Sequence, residues 1–223
     1  GDGHADIIAG ANKTDGSGFN SGSARVFSGA TGQVLHMFQG LGANDEFGEA
    51  VSDAGDVNGD GVPDVMSGAF YHDATATNAG MMRVYSGATG AVLYTLYGDA
   101  ANDFFGGVLG NVGDVDGDGR PDIGAGMVGS DVGGVNASGL KIIPGATGAV
   151  LRVHYGQAAG DLFGRGCDTA GDVDGDGLAD YVVSVQLADV TGVNAGGFRV
   201  FSGFDGAPIA SLWGLHAGDG MGE

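Results

Sequence analysis

Gly55-Asp56-Val57-Asn58-Gly59-Asp60-Gly61-Val62-Pro63-Asp64 returns as Gly113-Asp114-Val115-Asp116-Gly117-Asp118-Gly119-Arg120-Pro121-Asp122 and again as Gly171-Asp172-Val173-Asp174-Gly175-Asp176-Gly177-Leu178-Ala179-Asp180. The step is 58 residues in both cases. A fixed period of this size is the signature of a repeat architecture, in which each unit is one supersecondary element. Carrying the register back places Gly1-Asp2-Gly3-His4-Ala5-Asp6 on the second half of the same motif, so the chain divides into units 1–58, 59–116, 117–174 and 175–223, the last incomplete. Beginning inside this motif favours a longer parent chain or a loop shared between chains.

Outside the motif, single columns recur. Arg25, Arg83, Lys141 and Arg199 share one position and hold half of the eight basic residues. A lone cation in so acidic a chain is expected to pair with a carboxylate column. Asp15, Asp73, Asp131 and Asp189 form another column, Asn20, Asn78, Asn136 and Asn194 a third, and Asp45, Asp103, Asp161 and Asp219 a fourth, read as solvated turn residues.

Each unit reads as four short strands. In the second these are Asp64 to Ala69, Met82 to Ser86, Ala91 to Tyr97 and Phe105 to Gly110, bounded by Gly, Asn or Asp. Gly87-Ala88-Thr89-Gly90 between the second and third is hairpin-turn chemistry, repeated at Gly29 to Gly32 and Gly145 to Gly148. No sustained helical period is present, and 49 glycines would cost helices roughly 1 kcal/mol each relative to alanine. The expected fold is therefore all-β. A four-stranded antiparallel unit cannot bury its own faces, so it must stack on neighbours, radially as a propeller blade or linearly as a solenoid. Small residues in the first strand (Ala9, Gly10, Gly68, Ala69, Ala125, Gly126) favour the radial arrangement, as the crowded inner end of a blade.

Composition narrows the function. Twenty-eight acidic against eight basic residues give a formal charge of -20, which repels nucleic-acid backbones and anionic lipid surfaces. No run of about 18 apolar residues exists to span a membrane as a helix. Cys167 is the only cysteine, so an internal disulfide framework and a cysteine-rich zinc site are excluded; it sits in the column of Val51 and Leu109 and reads as a small buried hydrophobe. The chain starts at Gly1, so any secretion signal is expected outside it.

The repeated decapeptide carries the chemistry. Alternate oxygen-bearing side chains on a tightly turned loop converge on one point, and Ca²⁺ takes six to eight hard oxygens at about 2.3–2.6 Å. Three complete ligand sets follow: Asp56, Asn58, Asp60, the Val62 carbonyl and Asp64; Asp114, Asp116, Asp118, the Arg120 carbonyl and Asp122; Asp172, Asp174, Asp176, the Leu178 carbonyl and Asp180. Because the seventh position contributes only backbone, its side chain is free to vary. A first, partial set holds Asp2, the His4 carbonyl and Asp6. An EF-hand needs flanking helices and a Glu at position twelve, where this chain has Ser67, Ala125 and Val183 in strand-like runs. The competing account is Asx-turns without metal, against which stands the mutual repulsion of crowded carboxylates.

Phe47-Gly48, then the loop from Gly55, then Ser67-Gly68-Ala69 resembles the FG-GAP repeat of the integrin α-subunit β-propeller and its bacterial relatives. Phe105-Gly106 and Phe163-Gly164 open the same pattern, while Gly126-Met127, Ser184-Val185 and Met221-Gly222 depart from it. The resemblance implies an extracellular, calcium-stabilised propeller that presents loops to a protein or glycan ligand. Four units imply a fragment of a larger ring, a four-bladed ring, or a polymer of chains. Other roles compatible with the sequence are a structural subunit of an extracellular filament or surface layer, and a scaffold domain of a secreted hydrolase. A catalytic role is not expected, since no constellation breaks the repeat symmetry. The five histidines fall in five columns, Trp213 shares a column with Gln39, Tyr97 and Tyr155 that could stack on a sugar or between blades, and Asn12-Lys13-Thr14 and Asn136-Ala137-Ser138 fit N-glycosylation.

Overall fold

The computed structural model describes residues 3–222. Among them no helix occurs, and so none long and apolar enough to cross a membrane. The chain forms two compact units, Gly1–Leu109 and Gly110–Glu223, the division falling inside one strand.

Unit one contains a three-stranded sheet of β1 (Ile7–Ala11), β2 (Ser23–Phe27) and β3 (Val34–Gln39), and a four-stranded sheet of β4 (Val51–Gly55), β5 (Asp64–Ala69), β6 (Met81–Tyr85) and β7 (Val92–Tyr97). Unit two holds the sheet of β8 (Phe105–Gly113), β9 (Asp122–Met127), β10 (Gly139–Ile143) and β11 (Arg152–Tyr155), and that of β12 (Phe163–Gly171), β13 (Asp180–Val185), β14 (Gly197–Phe201) and β15 (Pro208–Trp213). In each sheet the strands lie in chain order, a meander of the kind that builds a propeller blade.

One expectation is corrected here. The strand from Phe105 does not close the sheet of the unit in which the repeat phase places it; it opens the next sheet. The Asp-rich decapeptide is therefore the loop of a hairpin, joining β4 to β5 and β12 to β13, and Gly55 pairs with Asp64 and Gly171 with Asp180 at the hairpin mouths. The strand carrying Gly68 and Ala69 is consequently second in its sheet, not first. Gly68 is small because the next Phe-Gly pair crosses it: a Cβ there would lie 1.9 Å from the Gly106 carbonyl oxygen, and one on Gly10 would lie 1.8 Å from that of Gly48.

Within each unit the Phe-Gly dipeptides are fastened to the turn that precedes β2, β6 or β10. Phe47, Phe105 and Phe163 are completely or almost completely buried, and their N–H groups donate to the carbonyls of Ser21, Ala79 and Ala137 at 3.1, 2.9 and 3.0 Å. Met221, the departure from the pattern, makes the same bond to Ala195 at 3.0 Å. The residue before each pair has a left-handed backbone: Glu46, Phe104 and Leu162 have φ of 51, 51 and 53°. Around these anchors lie the cores. In unit one Ala24, Val26, Phe38, Phe47, Met81 and Tyr85 pack together, Phe38 stacking on Tyr85 at 3.9 Å. In unit two Leu140, Ile142, Phe163, Tyr181, Val183 and Phe201 do the same.

Two recurrent columns resolve into one loop. Asp15, Asp73, Asp131 and Asp189 accept the N–H of Asn20, Asn78, Asn136 and Asn194 at 2.9, 2.7, 2.7 and 2.7 Å, and those asparagines have φ of 50–54°. Asparagine tolerates this conformation and aspartate caps it, so Asn136 of the second sequon serves the backbone. The Asp45 column also accepts turn N–H groups, but Asp45 and Asp103 are buried rather than solvated. The basic column does not behave uniformly as expected: Arg83 donates to Thr95 at 3.2 Å and Arg199 lies over the Phe201 ring at 5.1 Å, neighbours on their own sheets rather than carboxylates.

His154 on β11 packs within this framework, its Nε2 2.6 Å from the Tyr181 hydroxyl and its ring 4.5 Å from Phe201. Burial, then the Arg152 and Arg199 cations, push its pKa down from the ordinary value to about 4. The folded state thus binds fewer protons than the unfolded state between those values, and stability that is complete above pH 6.5 drains away as pH falls toward 4. Urea melts at neutral and mildly acidic pH should show the parent chain losing about 2 kcal/mol more than His154→Gln; equal losses would remove His154 from the account.

Candidate metal centres

Three Asp-rich hairpin loops have one hydrogen-bond plan. The first-position aspartate folds inward and gathers the turn: Asp56 accepts N–H from Gly59, Asp60 and Gly61 at 2.7, 3.0 and 2.8 Å, Asp114 from Gly117, Asp118 and Gly119, and Asp172 from Gly175 and Gly177. The sixth-position glycines Gly61, Gly119 and Gly177 have φ of 85–94°, a region that side chains on Cβ rarely adopt. The fifth-position aspartates, Asp60, Asp118 and Asp176, each accept the N–H of the seventh residue, Val62, Arg120 and Leu178, at 2.9 Å.

The ninth-position aspartates do most to build the site. Asp64, Asp122 and Asp180 are wholly buried at the start of β5, β9 and β13. One oxygen of each closes its own loop, accepting N–H from Val57, Val115 and Val173 at 3.1, 2.8 and 2.7 Å. The other accepts N–H from Gly87, Gly145 and Gly203 at 3.0, 2.9 and 3.0 Å, in the turn after the next strand. Each carboxylate therefore clamps the acidic loop to the neighbouring hairpin turn of its own sheet. In unit two the loops also touch directly, Ala179 N–H donating to the Asp114 carbonyl at 3.0 Å.

The predicted ligands converge to different degrees. Oxygen atoms of Asp114, Asp116 and Asp122 lie within 4.8 Å of one another, as do those of Asp172, Asp174 and Asp176; Asp118 and Asp180 stand outside those closest groups. In the first complete loop the Asn58 amide bridges the acids, Nδ2 donating to Asp60 at 3.0 Å and Asp64 at 3.4 Å. It sits between carboxylates as a cation would, and a half-turn of the amide presents its oxygen instead. In the partial set Asp2 lies outside the described residues. His4 and Asp6 are exposed, and Asp6 keeps the link to the following turn, accepting Gly29 N–H at 3.1 Å.

Electrostatics favour a cation. Burial raises the Asp122 pKa to about 6, with the Asp116 and Asp114 charges adding to it against the N–H groups of Gly145 and Val115. Burial likewise raises Asp64, with Asp60 contributing. A divalent ion reverses both effects by supplying charge and oxygen coordination at once. The donor set, carboxylate and amide oxygens with backbone at position seven, suits a hard cation such as Ca²⁺ and no soft metal.

Elsewhere the described histidines do not gather: His72 pairs with Asp45 at 3.0 Å, His216 with Asp219 at 3.7 Å, and His36 and His154 lie on separate sheets. Cys167 is half-buried, and its thiol is pushed up to about 12 by burial and the Asp168 charge, which suits the packing role and not a nucleophile. Trp213 packs against the unit-two core, and the absence of a Cβ on Gly197 makes room for its ring, at 2.4 Å from where that atom would stand.

A polar link between sheets was not anticipated. His36 donates to the Gly87 carbonyl at 2.8 Å, and Arg152 to the carbonyls of Gly203 and Phe204 at 2.6 and 2.5 Å. His36 and Arg152 occupy one repeat column, and Gly87 and Gly203 another. The shared column was the available signal, hidden because the two side chains differ. Each tethers a turn whose glycine N–H is held by the ninth-position aspartate, so the loop, the turn and the preceding sheet form one connected network.

Over 196 residues the chain is 30% identical to integrin alpha-4 of Xenopus laevis, a match covering 82% of this chain and 18% of that protein. Its repeats are thus integrin-like, and it spans less than a fifth of that relative's length. No protein-family model matches the chain.

Proposed function

We propose that this chain is a calcium-binding β-propeller module, displayed outside the cell or on its surface, that acts by binding a protein or glycan rather than by catalysis. The observation that carries the reading is the threefold recurrence of a loop in which a buried aspartate joins a cluster of oxygen ligands to the next hairpin turn. Ca²⁺ would be held by Asp56, Asn58, Asp60, Val62 and Asp64, by Asp114, Asp116, Asp118, Arg120 and Asp122, and by Asp172, Asp174, Asp176, Leu178 and Asp180, the seventh-position residues through their carbonyls. When bound, the ion supplies positive charge and coordination that fix each hairpin.

Similarity to an integrin α-subunit supports the adhesion role and the extracellular setting, where millimolar calcium would keep such loops loaded. The recurrent carboxylates of the described residues serve in capping turns and in these loops, which supports a binding rather than a catalytic use of them. The second reading, a subunit of an extracellular filament, is favoured by β1, which pairs only with β2 and is exposed along most of its length. Light scattering with imaging in calcium separates the two. Discrete particles whose mass does not grow with concentration support the binding module, and elongating particles support the filament subunit.

A further inference from the structure

The chain contains a single Asn-Gly pair, Asn58-Gly59, and it stands in the first complete acidic loop, where the other two loops have Asp116-Gly117 and Asp174-Gly175. We propose that Asn58 is a deamidation site kept closed by its loop, so that loss of the bound cation exposes it to conversion from amide to carboxylate.

The reaction needs no enzyme. The Gly59 backbone nitrogen attacks the Asn58 side-chain carbonyl carbon, loses its proton, and ammonia leaves, giving a five-membered imide. Water then adds to one of the two imide carbonyls and yields aspartate or isoaspartate. Glycine at the following position speeds ring closure because no Cβ crowds the attacking nitrogen.

The structure holds every participant away from that path. Gly59 N–H, on the attacking atom, is donated to Asp56 Oδ1 at 2.7 Å. Asn58 Oδ1 accepts Asp60 N–H at 2.8 Å, and Asn58 Nδ2 donates to Asp60 and Asp64. Ring closure requires the Gly59 N–H to leave Asp56 and the Asn58 side chain to rotate out of its contacts with Asp60 and Asp64, which loosens the loop. Gly59 is exposed and has φ of 74°, so once the loop opens nothing else shields it. A cation held by Asp56, Asp60 and Asp64 stabilises the closed form; without it three carboxylates are retained only by N–H donors, and opening becomes easier.

The two products differ in consequence. Aspartate gives this loop the same side chain at its third position as the other two, with one more negative oxygen for the ion. Isoaspartate inserts a methylene into the backbone between Asp56 and Asp60 and takes them out of register. Cation loss would thus leave a permanent mark on one loop of the three.

The gating rests on the calcium reading, and the experiment separates the two. The full chain is incubated at mildly alkaline pH in excess calcium, in chelator, and unfolded in urea, with peptide mapping over time and a parallel thermal melt with and without calcium. A site that contributes about 1.4 kcal/mol reduces the open population roughly tenfold, so amide loss at Asn58 should be roughly tenfold slower in calcium than in chelator, and fastest in urea. Asn58→Gln should abolish the signal, placing it at this residue. Equal rates in calcium and chelator, with a melt that does respond to calcium, overturn the gating and leave the calcium reading intact. Equal rates with a melt indifferent to calcium overturn both.

Discussion

Chelation of divalent cations should lower the melting temperature of this chain by on the order of 10 °C. A ligand that binds only the folded state adds RT ln(1 + [L]/Kd), so at millimolar calcium a site with Kd of about 10⁻⁴ M contributes on the order of 1.4 kcal/mol, and three sites about 4 kcal/mol. For a chain of this size each 1 kcal/mol moves the midpoint by roughly 2–4 °C. A bound ion would act on the acidic loops themselves. Burial, with the Asp116 and Asp114 charges adding to it, raises the Asp122 pKa to about 6, and a bound cation would offset that penalty. Differential scanning calorimetry in calcium, then in excess chelator, checks this; superimposable curves would count against metal in all three loops.

The second large effect separates two roles within one loop type. Asp180→Ala removes a proposed ligand and also the acceptor for Val173, Asp174 and Gly203 N–H groups, in a position with no solvent access. Stranding the buried Gly203 donor costs roughly 1–3 kcal/mol, and the part-buried Val173 and Asp174 donors add less, so a loss of roughly 2–3 kcal/mol is expected, and most of it should persist in chelator. Asp118→Ala removes an exposed proposed ligand whose backbone contact is to Arg120 N–H. Its cost should be about 1 kcal/mol in calcium and close to nothing in chelator. Chemical denaturation of both variants in both buffers makes the comparison, and a penalty for Asp180→Ala that disappears with the metal would show that the clamp to the hairpin turn contributes nothing by itself.

Much of this architecture was legible in the sequence because the repeat samples each structural problem several times. The all-β class, the strand from Asp64 to Ala69, the strand read from Ala91 and observed from Val92 to Tyr97, and the glycine turns all follow from residues that recur at one step. Sheet membership was hidden. The strand read from Phe105 to Gly110 falls last in its own unit by repeat phase, yet as β8 it stands beside β9 in the next sheet; local residue pattern marks a strand but not its partner. Once that pairing is recognised, the Phe-Gly pair moves to the start of a sheet and the acidic motif becomes a hairpin loop. The basic column misled for a related reason. Net acidity suggests carboxylate partners, but Arg83 and Arg199 meet a threonine hydroxyl and an aromatic face on their own sheets. The His36 and Arg152 tethers could not be read from residue type, because a backbone carbonyl accepts equally from either donor.

The fully buried aspartates explain why loop and fold cannot be separated. Gly87, Gly145 and Gly203 receive from Asp64, Asp122 and Asp180 the acceptor their N–H groups need, and His36 and Arg152 bind the carbonyls of two of those same glycines. Tension on the acidic loop is therefore transmitted to a turn that another sheet also holds, which is how an ion in a surface loop would stiffen the packing between successive sheets.

The most direct test is to count bound calcium. Equilibrium dialysis or native mass spectrometry across a calcium titration should give three saturable ions per chain, one fewer in each of Asp56→Ala, Asp114→Ala and Asp172→Ala. A chain that binds no saturable calcium, or keeps its full complement after any of these substitutions, would contradict the assignment of the loops.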